Sequence, residues 1–214
     1  NNEGLLSYGS SPANNPFNEP VFETKTAAGY ESGMDDSPMY IGVPFNKKKH
    51  TLELQDVGLT SLYIADCRAL AEMAGILKRK KEQKELESRA KQYALKMEEL
   101  WSPEFGAYLN YRTDVDSLST RVSPTLFYPL MAKVGNDDKN EIIMEHFYNP
   151  EEFYGEWMLP STTRNDPTFS QQRYWKGAIW PPLNFLTYLS LRQAGYTDAA
   201  TELSEKSLKL IMTE

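Results

Sequence analysis

Cysteine is almost missing from this chain: Cys67 is the single thiol among 214 residues, so no intramolecular disulfide can form and the redox compartment stays open. Its place in an apolar helical pattern predicts a buried thiol. Positive charge is short as well, with 23 Lys and Arg against 30 Asp and Glu for a formal charge of −7. Such a surface argues against a nucleic-acid partner, and the brief run Lys47-Lys48-Lys49-His50 does not reverse that. Histidine is down to two residues, His50 in the basic run and His146 on an outer helix, neither with the company a metal ligand needs. No apolar run reaches the length of a membrane span, and the polar first residues lack the charged start and apolar centre of a signal peptide. The chain opens on Asn1, not Met, which suggests a processed form or a piece of something longer.

What is present is enough apolar surface, 40% of the residues, for one large domain or two small ones. Aromatics make up 12%, and many stand in connections rich in Gly, Pro and Asn, near carboxylates. Such rings can stack on the C–H faces of a sugar. Residues 1–20 read as an irregular arm, and 21–214 as the body of the domain. Val21 to Tyr30 leads into Glu31-Ser-Gly-Met-Asp35-Asp36-Ser-Pro-Met-Tyr40, where Gly33 and Pro38 place two adjacent carboxylates in a loop at an element junction. On composition alone, the plainer reading of Asp35 and Asp36 is a turn or a helix cap.

Three helix pairs follow. From the N-cap Asp56, the residues Leu59, Leu62, Tyr63, Ala65, Leu70, Met73, Ala74 and Leu77 predict a broad-striped inner helix. From about Lys81 to Trp101, charges of both signs surround a narrow stripe and predict an outer helix. Ala107 to Thr113 reads as a short extended piece and Asp114 to Val122 as polar loop. Ser123-Pro124 opens a second apolar helix to Val134, kinked or cut short by Pro129, and a charged helix from about Lys139 to Phe147 follows. After a long irregular stretch, Gly177 to Gly195 and Thr197 to Glu214 repeat the alternation. The predicted fold is all-α, an α/α toroid of inner and outer helices with long loops at one end.

Three loops carry a resemblance. Ser32-Gly-Met-Asp35-Asp36-Ser-Pro, Pro160-Ser-Thr-Thr-Arg164-Asn-Asp166-Pro and Tyr174-Trp-Lys-Gly-Ala-Ile-Trp180 resemble, in order and placement, motifs of the (α/α)₆-barrel glycosidases of glycoside hydrolase family 63, with trehalases as more distant relatives. The resemblance covers about Gly29 to the C-terminus and implies about half of such a barrel, the remainder of the barrel lying beyond this chain. It implies an inverting hydrolase of α-linked glucosides or mannosides, acting on an oligosaccharide or a small α-glycoside. Asp35 is then the general acid and Asp36 holds a neighbour. An acid must stay protonated to act, and burial beside a second carboxylate favours the neutral form. Inversion needs a second carboxylate roughly 6.5–9.5 Å away. The resemblance puts this base, a Glu, beyond residue 214, with Glu156 as a weak internal substitute. Two residues depart from the family pattern, Met39 and Lys176 standing where Arg is usual.

The same resemblance nominates Glu31, Asp36, Tyr40, Arg164, Asp166, Trp175, Lys176, Trp180 and Asn184 as substrate-binding residues. Each has a plainer alternative. Arg164 and Asp166 read equally well as an internal ion pair shaping their loop, and Tyr40 as core. Trp180 is balanced between sugar stacking and anchoring a helix start, while Trp175 favours the site. No cofactor is expected, although Asp114-Val-Asp116 and Asn136-Asp-Asp138 would admit a structural Ca²⁺ if they are not simply turns. The alternative function is a non-catalytic carbohydrate-binding or helical scaffold domain.

Overall fold

The computed structural model describes residues 4–10 and 24–213. Among these described residues, seven α-helices are joined by short 3₁₀ turns and two-residue antiparallel strands. Helix α1 (Lys25–Ser32) is followed by the hairpin β1 (Phe45–Asn46)–β2 (Thr51–Leu52) and then β3 (Leu54–Gln55). The first pair is α2 (Val57–Ile76) and α3 (Lys80–Met97). β4 (Trp101–Ser102) pairs with β5 (Ala107–Tyr108), and β6 (Tyr111–Arg112) pairs with both β3 and β7 (Ser117–Leu118). The remaining helices are α4 (Tyr128–Met131), α5 (Asp137–Tyr148), α6 (Pro181–Gln193) and α7 (Thr197–Thr213). Helices α2, α4 and α6 pack in sequence as the inner row, with α3 against α2 and α7 against α6. Behind α4, Phe147 of α5 meets Phe127 edge-on, and Phe127 also meets Phe153, at ring separations of 5.7 and 5.3 Å. These pairs form about half of an α/α toroid, as the alternation of apolar and charged helices predicted.

Local chemistry explains the element starts. Asp56 caps α2 by accepting from the Leu59 amide at 2.8 Å, and Ser123 caps the 3₁₀ turn Pro124–Phe127. Burial pushes the Asp56 carboxyl up to about 6, against the hydrogen bonds from the Leu59 and Gly58 amides. Cys67 is buried and free. The second apolar segment is shorter than its periodicity suggested, a 3₁₀ turn running into four α residues around Pro129.

Several expectations need correction. Residues 21–23 lie outside the described residues, but Lys25–Ser32 is helical where only a lead-in was expected. Of the arm 1–20, residues 1–3 and 11–20 lie outside the described residues. Residues 4–10 run extended beside β2, with the Leu52 amide donating to the Tyr8 carbonyl at 2.8 Å and the Ser10 amide to the His50 carbonyl at 3.0 Å. On α2 the buried face is made of Gly58, Thr60, Ser61, Ile64, Cys67, Ala71 and Ala74, while Leu70, Met73 and Leu77 are exposed. Close approach favours small residues there: a side chain at Gly58 would lie 2.7 Å from Thr125 Cβ. Ala107 to Thr113 divides between two sheets, and Ser117–Leu118 is a strand inside the expected polar loop. Asn136 caps α5 through the Lys139 amide, so Asp137 and Asp138 form its acidic first turn. Asp114 accepts from Arg112 and Asp116 from Tyr111. Among the described residues no three His, Cys, Asp or Glu converge as a metal cluster would require, and no helix is long and apolar enough to cross a membrane.

His146, on α5, is nearly buried with Nδ1 2.5 Å from Glu152 and Nε2 3.0 Å from the Phe105 carbonyl. A carboxylate on one side and a carbonyl on the other favour a proton on each ring nitrogen. Burial pulls the imidazolium down, but the hydrogen bond and charge of Glu152, with the Phe105 contact, outweigh it and raise His146 above 6.5. A raised folded-state value means stability that is fully present below pH 6.5 and lost as pH climbs from there through the higher folded-state value. Thermal melts at increasing pH from 6.5 should therefore show a decline in the wild type that is absent in His146→Gln. Parallel declines in both proteins would refute this.

Candidate active site

The acidic loop is built by the end of a helix. Thr24 opens α1 by accepting from the Ala27 amide, and Gly33, at φ +70°, closes it in the left-handed conformation that glycine adopts most easily. Ser32 ties the exit, donating to the Gly29 carbonyl at 2.6 Å and accepting from the Met34 amide at 3.0 Å. Met34, Met39 and Tyr40 then sink into a second core cluster with Ala28, Val43, Trp175 and Leu183. Pinned on both sides, Asp35 and Asp36 remain half-buried at a cleft of about 520 Å³.

The opposite wall comes from a segment 139 residues away. The Tyr174 hydroxyl donates to Asp35 Oδ2 at 2.6 Å. Asp36 accepts from the Trp175 amide at 3.3 Å and from the Lys176 ammonium at 2.8 Å. Asp36 thus holds the Trp175 amide and the Lys176 ammonium, and Lys176 makes one point-like contact where a guanidinium would offer a fork. The Trp180 indole donates to the Tyr174 carbonyl at 2.8 Å and stacks on Trp175 at 4.3 Å. Trp175 is buried and Trp180 half-buried against it, and neither borders the cleft, where Tyr174 stands in place of the Trp175 ring that the sequence favoured. Lys25 also borders the cleft, its ammonium donating to the Tyr40 carbonyl. Burial, and then the Arg112 guanidinium, hold that ammonium below its ordinary range.

Other nominated residues do not join this cluster. Glu31 is exposed on α1, outside the cleft lining. Tyr40 borders the cleft, yet its ring is buried in the core and burial raises its phenol well above the ordinary range. Arg164 does not pair with Asp166: its guanidinium donates to the Glu152 and Trp157 carbonyls, at 3.1 and 2.6 Å. Asp166 instead accepts from the Thr168 amide and hydroxyl, with Arg121 3.9 Å away. Both side chains serve the loop's own backbone, whose polar groups need partners. Asn184 points to Ser207 of α7 and lines a separate apolar groove of about 370 Å³ with Phe185, Leu208 and Ile211. Glu156 pairs with Lys209 on an exposed surface. Met39, buried, receives Asn110 Nδ2 at 3.6 Å on its sulfur. The sequence reading missed Tyr174 and Lys25 as cleft residues; Tyr174 stood inside a quoted motif, whereas nothing local pointed to Lys25.

An arc of paired α/α-toroid helices thus presents two adjacent carboxylates and tyrosine rings at one cleft. The chain belongs to the family described as the mannosylglycerate hydrolase MGH1-like glycoside hydrolase domain, which matches residues 23–214. It is 28% identical over 165 residues to a mannosylglycerate hydrolase of Rubrobacter radiotolerans, covering 75% of this chain and 37% of that protein. It is 24% identical over 170 residues to a Thermus thermophilus mannosylglycerate hydrolase, covering 78% and 40%. The chain thus spans about two fifths of the length of these relatives. Among solved structures, a family 63 mannosylglycerate hydrolase of Thermus thermophilus in complex with glucose superposes with a TM-score of 0.75 at 21% identity, over 86% of this chain and 53% of that one.

Proposed function

We propose that this chain carries the acid half of an inverting glycosidase for small α-glycosides, with glycerate mannoside or glucoside as the first substrates to test. The observation that carries the reading is the meeting of Asp35 and Asp36 with Tyr174, Trp175 and Lys176 across 139 residues of chain, so that two of the three resembling motifs share one cleft. In this reading Asp35 protonates the leaving oxygen, Asp36 and Lys176 fix the cleft wall, Tyr174 offers its ring to the sugar, and Trp180 supports Tyr174 from behind through its indole on the Tyr174 carbonyl. The base is a Glu of the remaining barrel, roughly 6.5–9.5 Å from Asp35. Further helices of that barrel cover the apolar groove between α6 and α7. The greater length of the relatives supports this, as does the exposure of Phe185, Leu208 and Ile211. Proton NMR of the whole protein acting on α-mannosylglycerate should show the β-anomer of mannose first. An α-anomer would exclude inversion, and binding without turnover would favour the carbohydrate-binding alternative.

A further inference from the structure

The middle of the three resembling loops, Pro160 to Pro167, adds no residue to the cleft lining, yet its serine reaches the cleft wall from behind. Ser161 is 1% exposed, and its hydroxyl accepts from the Gly177 amide at 3.1 Å. Its own amide donates to the Ala178 carbonyl at 3.0 Å, and Pro160 pairs with Ile179 in an antiparallel bridge. The two residues before Gly177 are those that hold Asp36, Lys176 through its ammonium at 2.8 Å and Trp175 through its amide at 3.3 Å. We infer that Ser161 is a positioning residue for proton donation: by fixing the Gly177 amide it sets Trp175 and Lys176, hence Asp36, and with Asp36 its neighbour Asp35. This rests on the reading of Asp35 as the acid.

Both sides of the contact are built for it. Gly177 lies at φ +106°, and a Cβ there would stand 2.9 Å from the Phe169 carbonyl oxygen, so glycine alone fits. The residue is buried, and its N–H needs an acceptor. On the other side, buried Leu159 takes φ +57° directly before Pro160, a left-handed conformation that a non-glycine residue keeps only where its surroundings hold it there. Its amide donates to the Phe153 carbonyl at 3.1 Å, and Phe153 packs on Phe127 in the main core. The Thr162 hydroxyl donates to the Val122 carbonyl at 3.4 Å, and Arg164 closes the loop on the Glu152 and Trp157 carbonyls. The serine therefore stands on the core. The turn from Arg173 to Gly177 closes on itself, with the Lys176 amide on the Arg173 carbonyl at 2.9 Å, and Ser161 ties it to that core. Ser161, Leu159 and Gly177 are covered within this chain, so the contact does not wait on further helices.

In the whole protein, Ser161→Ala should leave the Gly177 amide without an acceptor and let the turn shift. A displacement near 1 Å can cost on the order of 10²-fold in rate, and a loosened support should cost about tenfold in kcat on α-mannosylglycerate or α-glucosylglycerate, with KM held within about twofold. The matching aryl α-glycoside with a good leaving group departs with little protonation, so its kcat should fall by about threefold at most. Thr162→Val removes the neighbouring buried hydroxyl, which does not touch Gly177. It should lower the melting temperature and change both substrates alike. Hydrogen–deuterium exchange of the 174–178 amides should quicken in Ser161→Ala and not in Thr162→Val. Ser161→Cys, nearly isosteric but a poorer acceptor, should fall between wild type and alanine, and it carries the same comparison where the alanine variant yields too little folded protein. Equal losses on the two substrates, an unchanged kcat, or unmoved exchange would each overturn the positioning role while leaving Asp35 as the acid. Wild-type activity in Asp35→Asn would overturn the acid itself.

Discussion

Asp35→Asn is expected to lower hydrolysis of an α-linked glycerate glycoside by about 10²–10⁴-fold, the share a positioned general acid ordinarily contributes. The substitution keeps the shape of the side chain and an oxygen able to accept from the Tyr174 hydroxyl, so the loop should hold its place between α1 and the 174–176 segment. What disappears is the acidic proton. Melting temperature should stay within a few degrees of wild type, which separates lost chemistry from lost folding. An aryl glycoside with a good leaving group needs less proton donation, so it should lose less rate than the glycerate glycoside. Equal losses on both substrates, or wild-type activity on the glycerate glycoside, would remove Asp35 from the acid's role.

The second large effect is expected at a residue with no chemistry of its own. Gly29 lies in α1, and a Cβ placed there would stand 2.8 Å from the carbonyl oxygen of Asp35. Two effects oppose each other in Gly29→Ala. Alanine is the better helix former by about 1 kcal/mol. Forcing a methyl against fixed backbone costs about 1–3 kcal/mol, because the neighbour is a carbonyl and not a yielding side-chain end. The clash wins, and it is relieved by moving the turn that carries Asp35. A displacement near 1 Å at a reacting group can cost on the order of 10²-fold in rate. The variant should therefore fall in kcat by about tenfold or more, with a smaller loss of stability. Wild-type kcat with raised melting temperature would show that α1 and the turn tolerate the methyl.

The helix pairs were legible because periodicity, caps and charge agreed at each level. Asp56 before an apolar stripe and mixed charge along α3 left little choice of element. α1 escaped notice because eight residues containing Gly29 and two adjacent alanines show little amphipathic pattern, and its end at Gly33 looked like part of the loop. In the site, Asp35 and Asp36 could be nominated from their loop, yet their partners could not. Tyr174 and Lys176 reach them from 139 and 140 residues away, a distance over which local pattern says nothing. Arg164 and Asp166 failed as a pair for the opposite reason: two charges so near in sequence invite pairing, while the loop's own amides and carbonyls were the stronger claimants. Asn184 depended on how α6 is rotated toward α7, which only packing decides.

The closeness of Gly58 to Thr125 has a consequence for shape. Along the inner row, α2 meets the start of the next segment through a glycine and short hydroxyl side chains, whereas behind it α3 and α5 contribute Met97, Tyr93 and Phe147. At this contact the first pair is narrow on its inner side and broad behind, so any larger side chain at Gly58 would wedge α2 away from the Thr125 segment and open the row at that joint.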